Sequence, residues 1–142
     1  MKHWMLFFAL LLGAATAEAQ VRFMDASTDA LREAAIEQQK LVFIDLYATW
    51  CGPCRQMEKV FAKREVGEFF DRWFVAGKFD VDRPTGRTLL RRYGRGSIPL
   101  YLVFDTEGEL LGRILGASDA DKFLADLQRI LEGWQAAQAA EK

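Results

Sequence analysis

Histidine is almost missing from this chain. Its one copy, His3, lies in the first few of 142 residues. The body of the protein therefore has no Cys–His or Ser–His nucleophilic pair and no histidine-ligated metal centre. Cysteine is nearly as scarce. Cys51 and Cys54 are the only two, which excludes both a disulfide framework and a four-cysteine zinc site. An excess of either charge is lacking too. With 19 Lys and Arg against 20 Asp and Glu, there is no general field for nucleic acid or an acidic membrane. What remains is ample apolar material, 51% of residues, enough for a folded core.

Residues 1–19 read as a secretory signal. Lys2 supplies the basic start, Trp4 to Leu12 and Gly13 to Ala17 form the apolar run, and Ala17-Glu18-Ala19 places small residues where a signal peptidase cuts. Gln20 would then be the new N-terminus, with Ala15-Thr16-Ala17 as a second candidate site. The alternative is an uncleaved membrane anchor, but about 14 apolar residues cover only ~21 Å of a ~30 Å hydrocarbon core. Cleavage predicts a periplasmic or secreted protein with one domain over residues 20–134 and a flexible tail over 135–142. Such a protein meets an oxidising space, where a close cysteine pair forms a disulfide unless something reduces it.

No repeat or linker divides the chain after the leader. Val21 to Met24 suggests a short edge strand, and Ser27 or Thr28 can cap a helix carrying Leu31, Ala34, Ala35 and Gln38 at helical spacing. Leu41 to Ala48 is nearly all apolar, the pattern of a strand covered on both faces. A helix after Cys54 carries Met57, Val60 and Phe61; Val66, Phe69 and Phe70 predict a further helical turn, then a strand from Trp73 to Asp80. Thr85 to Tyr93 reads as a helix stopped by Gly94 and Gly96. Leu100 to Phe104 and Leu110 to Ile114 flank the turn signature Asp105-Thr106-Glu107-Gly108, as hairpin partners do. Ser118 with Asp121 resembles a capping box for a last helix bearing Phe123, Leu127, Leu131 and Trp134. Strands alternating with helices predict an α/β fold, a mixed central sheet with helices on both faces.

Cys51 and Cys54 stand where the buried strand gives way to a helix. A spacing of three on a helix puts both side chains on one face, with Cα atoms ~5–6 Å apart, within reach of a disulfide. The first cysteine lies among unpaired N–H groups at the positive end of the helix dipole, which lowers a thiol pKa below ~8.5. Gly52 and Pro53 between them add neither charge nor bulk, and proline is harmless in a first turn. Three readings compete: an inert local disulfide, a soft-ion site holding Cu(I), or a dithiol–disulfide couple. Asp45 is an ionisable group in an otherwise apolar strand, a position that raises a carboxyl pKa and suits proton relay to or from Cys54. It can equally be a satisfied structural acid.

Trp50-Cys51-Gly52-Pro53-Cys54, Asp45 six residues before the first cysteine, Ile98-Pro99 and Gly116 before the last helix together resemble the thioredoxin family, over about residues 21–132. The resemblance implies a thioredoxin fold and thiol–disulfide exchange without a cofactor or metal, the redox group being the Cys51–Cys54 disulfide. It implies Cys51 as nucleophile, Cys54 as resolving thiol, and Pro99 as a cis-proline facing them. The Ile98 backbone would then offer a pairing edge to an extended substrate. Lys78 resembles the family's lysine beside the buried acid, or is an ordinary strand-end lysine. Trp50 shields the pair or belongs to the core. Lys59 stands where thioredoxins commonly carry a helix-kinking proline, and Leu100 where threonine is usual. The stretch from Met57 to Phe70 is more similar to exported thioredoxin-like proteins and to the periplasmic C-terminal domain of membrane thiol-reductant transporters. Expected from this are a monomeric reductase of protein disulfides and a membrane thiol-reductant donor, with no nucleic acid partner. An oxidase or isomerase using the same residues in reverse is the alternative. Arg83, Arg87, Arg91, Arg92 and Arg95 form either a solvated helix face or a docking surface for an acidic partner.

Overall fold

The computed structural model describes residues 19–142; the leader proposed for residues 1–19 therefore lies, except for Ala19, outside the described residues. Five strands and five helices follow in the order β1 (Phe23–Met24), α1 (Thr28–Gln38), β2 (Leu41–Tyr47), α2 (Gly52–Phe61), α3 (Arg64–Trp73), β3 (Phe74–Asp80), α4 (Pro84–Tyr93), β4 (Leu100–Phe104), β5 (Leu110–Leu115) and α5 (Ala120–Ala140). One sheet takes all the strands in the order β1-β3-β2-β4-β5. The pairs β1–β3 and β2–β3 are parallel, while β4 runs antiparallel to both β2 and β5.

β2 sits at the centre, and six of its seven residues are buried. Leu41 and Phe43 face one apolar layer and Val42, Ile44 and Leu46 the other, as strand alternation requires. Leu41 and Phe43 pack with Met57, Val60 and Phe61 of α2, Phe70 of α3 and Phe123, Leu127 and Leu131 of α5. Val42, Ile44 and Leu46 pack with Leu31 and Ala35 of α1, with the apolar side of α4, and with both cysteines. Phe43 is the hub of the first layer. Its ring lies within 6.4 Å, centroid to centroid, of Phe61, Phe70, Phe74, Tyr101 and Phe123.

Local chemistry sets the boundaries. Ser27 caps α1, its hydroxyl accepting from the Ala30 amide at 3.2 Å, and Gln39 closes that helix in the left-handed region at φ 55°. The turn at Val66–Phe70 expands into the ten-residue α3, so the following strand begins at Phe74 and Trp73 ends the helix. Lys59 lies inside an unbroken α2, and the chain turns only afterwards, at Ala62 and Lys63.

Two expectations shift at the C-terminal helix. Asp119, not Ser118, is the N-cap, its carboxylate accepting from the Lys122 amide at 2.8 Å. The Ser118 hydroxyl instead donates to the Asp119 carbonyl. The segment 135–142, expected as a flexible tail, is helical through Ala140. It is exposed throughout and buries nothing, but alanine and glutamine are strong helix formers and extend a helix already nucleated on the core.

The Phe43 hub yields a stability prediction. Phe43→Ala lowers the unfolding free energy by about 3–5 kcal/mol in urea titration, because it leaves a cavity among five rings. Leu115→Ala, at a side chain 64% exposed, changes it by less than about 1 kcal/mol.

Candidate active site

The sheet delivers β2 to the N-terminus of α2, and Cys51 is the hinge residue. Its backbone is extended (φ −81°, ψ 108°), and its sulfur acts as the N-cap, accepting from the Cys54 amide at 3.2 Å. Gly52 and Pro53 occupy the first helical positions, where an amide has no intrahelical partner to lose. Cys51 and Cys54 are joined as a disulfide across a Cα separation of 5.3 Å. Both are buried, at 3% and 8% exposure. A side chain at Gly52 would meet nothing within 4 Å, so the space beside the residue that follows Cys51 is open. On reduction, the helix dipole and the capping amide both stabilise a thiolate at Cys51.

Asp45 is buried, at 3% exposure, two residues before the end of β2. Strand register places it between Lys78 of β3 and Tyr101 of β4. The Lys78 ammonium lies 3.7 Å from Asp45 Oδ2, and it is flanked by the rings of Tyr47 at 4.6 Å and Phe23 at 5.2 Å. Among the described residues, Asp45 Oδ1 and the Tyr101 hydroxyl have no hydrogen-bond partner. Burial pushes the Asp45 carboxyl up to about 7; Lys78 opposes that shift, and the charge of Glu58 adds to it. Burial, and then the charge of Asp45, push the Tyr101 phenol up as well. A pocket of about 210 Å³, lined by Tyr47, Ala48, Thr49, Cys54, Arg55, Glu58 and Lys78, connects the second cysteine with the lysine that faces Asp45.

The peptide between Ile98 and Pro99 is cis. The Pro99 carbonyl accepts from the amide of Gly116 at 2.9 Å, and Gly116 adopts φ 90°, a conformation glycine takes without strain. Ile98 and Leu100 pack in the same apolar cluster as the two cysteines. Trp50 is 66% exposed and so is not core; its indole N–H donates to Asp82 Oδ2 at 2.8 Å, which pins the ring beside the pair. The cysteines, Ile98 and Leu100 thus share one side of the sheet, while Asp45 and Lys78 lie together beneath the end of β2. Among the described residues no group of three or more Asp, Glu, His or Cys side chains is placed to hold a metal ion.

Residues 22–106 match the family model described as Thioredoxin-like. The chain belongs to the thioredoxin-like family. This thioredoxin-like protein is 41% identical to thioredoxin H2-1 of Oryza sativa subsp. japonica over 92 residues, 65% of this chain and 62% of the relative. It thus spans less than two thirds of that relative's length. Among solved structures, one of a candidate disulphide-isomerase from Bacteroides thetaiotaomicron is 34% identical, with a TM-score of 0.73 over 82% of this chain and 98% of that one. The oxidised C-terminal domain of DsbD from Neisseria meningitidis is 30% identical, with a TM-score of 0.59 over 71% of this chain and 90% of that one.

Three further side chains of this thioredoxin-like domain border the pair and its acid. Glu58 was detectable, since it stands four residues after Cys54 on the same helix face. Tyr101 faces Asp45 only through the β2–β4 register, and Asp82 meets Trp50 across 32 residues of chain; neither leaves a local signal.

The raised Asp45 pKa has a definite sign for stability. Its folded value of about 7 lies above the ordinary 3.8, so the folded state holds this proton more tightly than the unfolded chain does. The resulting stabilisation is complete below about pH 4 and is lost as pH rises through about 7. Asp45→Asn, which keeps the shape without the charge, therefore raises the melting temperature of the oxidised protein more at pH 8 than at pH 5. An equal change at both pH values would show that Asp45 stays ionised in the fold.

Proposed function

We propose that this protein is an exported thiol–disulfide oxidoreductase that works as a reductase of protein disulfides. The observation that carries this reading is the cysteine pair at the N-terminus of α2, with the Cys51 sulfur held as the helix cap. In the reduced protein the Cys51 thiolate attacks one sulfur of a substrate disulfide. The substrate S–S bond breaks, a mixed disulfide forms, and the expelled substrate thiolate takes a proton. Cys54 then gives up its proton and attacks Cys51 Sγ. The second substrate thiol leaves, and two electrons have passed from the protein to the substrate. Asp45 is the group we assign to proton exchange with Cys54, because a carboxyl with a pKa of about 7 can both accept and return a proton near neutrality. Lys78 sets how readily Asp45 ionises. Trp50, Gly52 and Pro53 border the approach to Cys51, and Ile98 with Pro99 forms the edge against which the substrate chain lies.

Direction follows from charge. Gly52 and Pro53 place no cation between the cysteines, and Asp45 and Glu58 disfavour a further negative charge at the pair. Both features destabilise the thiolate relative to the disulfide and make the dithiol a stronger reductant. In an oxidising compartment the pair must be recharged by a dithiol donor. The likeness to a DsbD C-terminal domain supports a membrane thiol-reductant protein in that part, and the leader-like residues 1–19 support export. The likeness to a candidate disulphide-isomerase favours a second reading, oxidation or isomerisation by the same residues.

Equilibration with glutathione and dithiothreitol buffers separates the two. A potential near −270 mV, about that of thioredoxin, is expected, and a value above about −180 mV overturns the reductase reading in favour of the oxidase or isomerase. Roles within the pair are read by trapping. Cys54→Ser accumulates mixed disulfides through Cys51, whereas Cys51→Ser accumulates none; equal trapping by both variants would remove the assignment.

A further inference from the structure

Arg83, Arg87, Arg91, Arg92 and Arg95 fall within thirteen residues, and no aspartate or glutamate occurs from Arg83 to Phe104. All five are exposed, and none is in an ion pair among the described residues. The nearest acids in sequence are already engaged. Asp82 holds the Trp50 indole, and Asp80 Oδ1 accepts from the Asp82 amide.

Helix stability does not account for this row. Arg91 and Arg92 lie in the last turn of α4, where cations suit the dipole. Arg83 and Arg87 sit at the opposite end, where a cation is unfavourable. Arg83 is the N-cap yet makes no side-chain capping bond, and the first turn carries no acid. Gly86 is buried, and Leu89, Leu90 and Tyr93 turn inward onto the cluster that holds Cys51 and Cys54. A spacing of four then puts Arg83, Arg87 and Arg91 along one outward flank of the helix. Arg92 falls on the other flank, beside the Tyr93 ring.

The row is tied to the redox site through Arg87 and through Arg95. The Arg87 guanidinium donates to the Asp82 carbonyl at 2.7 Å, and Asp82 is the residue that pins Trp50. At the far end of the row, Arg95 lies in the loop that runs through Gly96 to the cis Ile98–Pro99 peptide. Arg83, Arg87 and Arg91, with Arg95 beyond them, thus form a cationic strip about 15 Å long without an ion-pair partner among the described residues, bordering the proposed substrate edge of a protein whose net charge is −1.

We propose that this strip docks an acidic segment flanking the disulfide of the protein substrate, a reading that rests on thiol–disulfide exchange at Cys51. Four or five extended residues at ~3.3 Å each match its length. A peptide fits better than a membrane or a nucleic acid. The charge is confined to one helix and the loop after it, in a protein whose net charge is −1, which suits a short acidic segment and not a continuous polyanion. The strip raises the encounter rate with acidic substrates and so selects among disulfides of similar reactivity.

The test uses the full reduced protein and disulfide peptides that are identical except for four flanking residues, aspartate, serine or lysine. At low ionic strength the aspartate peptide is expected to be reduced about tenfold faster than the lysine peptide, the gap closing in about 0.5 M salt. The triple variant Arg87→Gln/Arg91→Gln/Arg95→Gln brings the ratio toward one, and the corresponding Arg→Lys triple keeps it. Equal rates with the native protein, or a ratio unmoved by the glutamine variant, overturn the docking surface while leaving the chemistry standing. Failure to reduce any of the peptides overturns the reading of function itself. Arginine-dependent co-sedimentation with vesicles of equal parts phosphatidylglycerol and phosphatidylcholine, without peptide preference, reassigns the strip to a lipid surface.

Discussion

The central position of β2 is the constraint on which the remaining structure depends. A strand paired on both edges and covered on both faces has no access to water. Its six buried residues must be apolar, or else chemically special. Five obey the first rule and Asp45 the second, while Tyr47 at the end of the strand is half-buried. The same pairing that shuts Asp45 away from solvent brings Lys78 alongside it on β3 and Tyr101 on β4. The electrostatics of the site follow. Desolvation outweighs the attraction of a single ammonium 3.7 Å away, so the carboxyl titrates near neutrality instead of near 4.

The same strand sets the cysteine geometry. Where β2 ends, the chain turns through Thr49 and Trp50 and starts α2 at Cys51, so the first cysteine meets the unpaired amides of a helix start. A sulfur that caps a helix is stabilised as an anion; a buried acid on the adjoining strand opposes a second anion nearby. These opposing influences come from one junction, and their balance decides which way electrons run. Glu58 belongs to that balance, on the helix face that also carries Cys54.

Around this rigid junction the variable parts are arranged on the outside. Trp50 is held by a hydrogen bond and not by burial, and α4 presents its arginines while burying Gly86, Leu89, Leu90 and Tyr93. The redox pair and Asp45 are therefore fixed by packing, whereas Trp50 and the arginines are exposed groups that cost the core nothing to change.

The order of elements was readable from the sequence because each rests on a local signal: the apolar run of β2, the Ser27 cap, and the hairpin turn at Asp105–Gly108. The cysteine spacing likewise determined the disulfide-competent separation, since an N-cap and the third residue of its helix lie within one turn of each other. Boundaries that depend on competition were less legible. Asp119 outcompetes Ser118 as a cap, α3 extends past its apolar signal to Trp73, and α5 runs to Ala140 on propensity after its core contacts end. What only the tertiary structure decided is which distant residues share an environment. Strand register sets Tyr101 against Asp45, and a hydrogen bond spanning 32 residues sets Asp82 against Trp50. Sequence patterns encode the period of each element, but long-range partners follow from how the elements stack, and no local pattern records that.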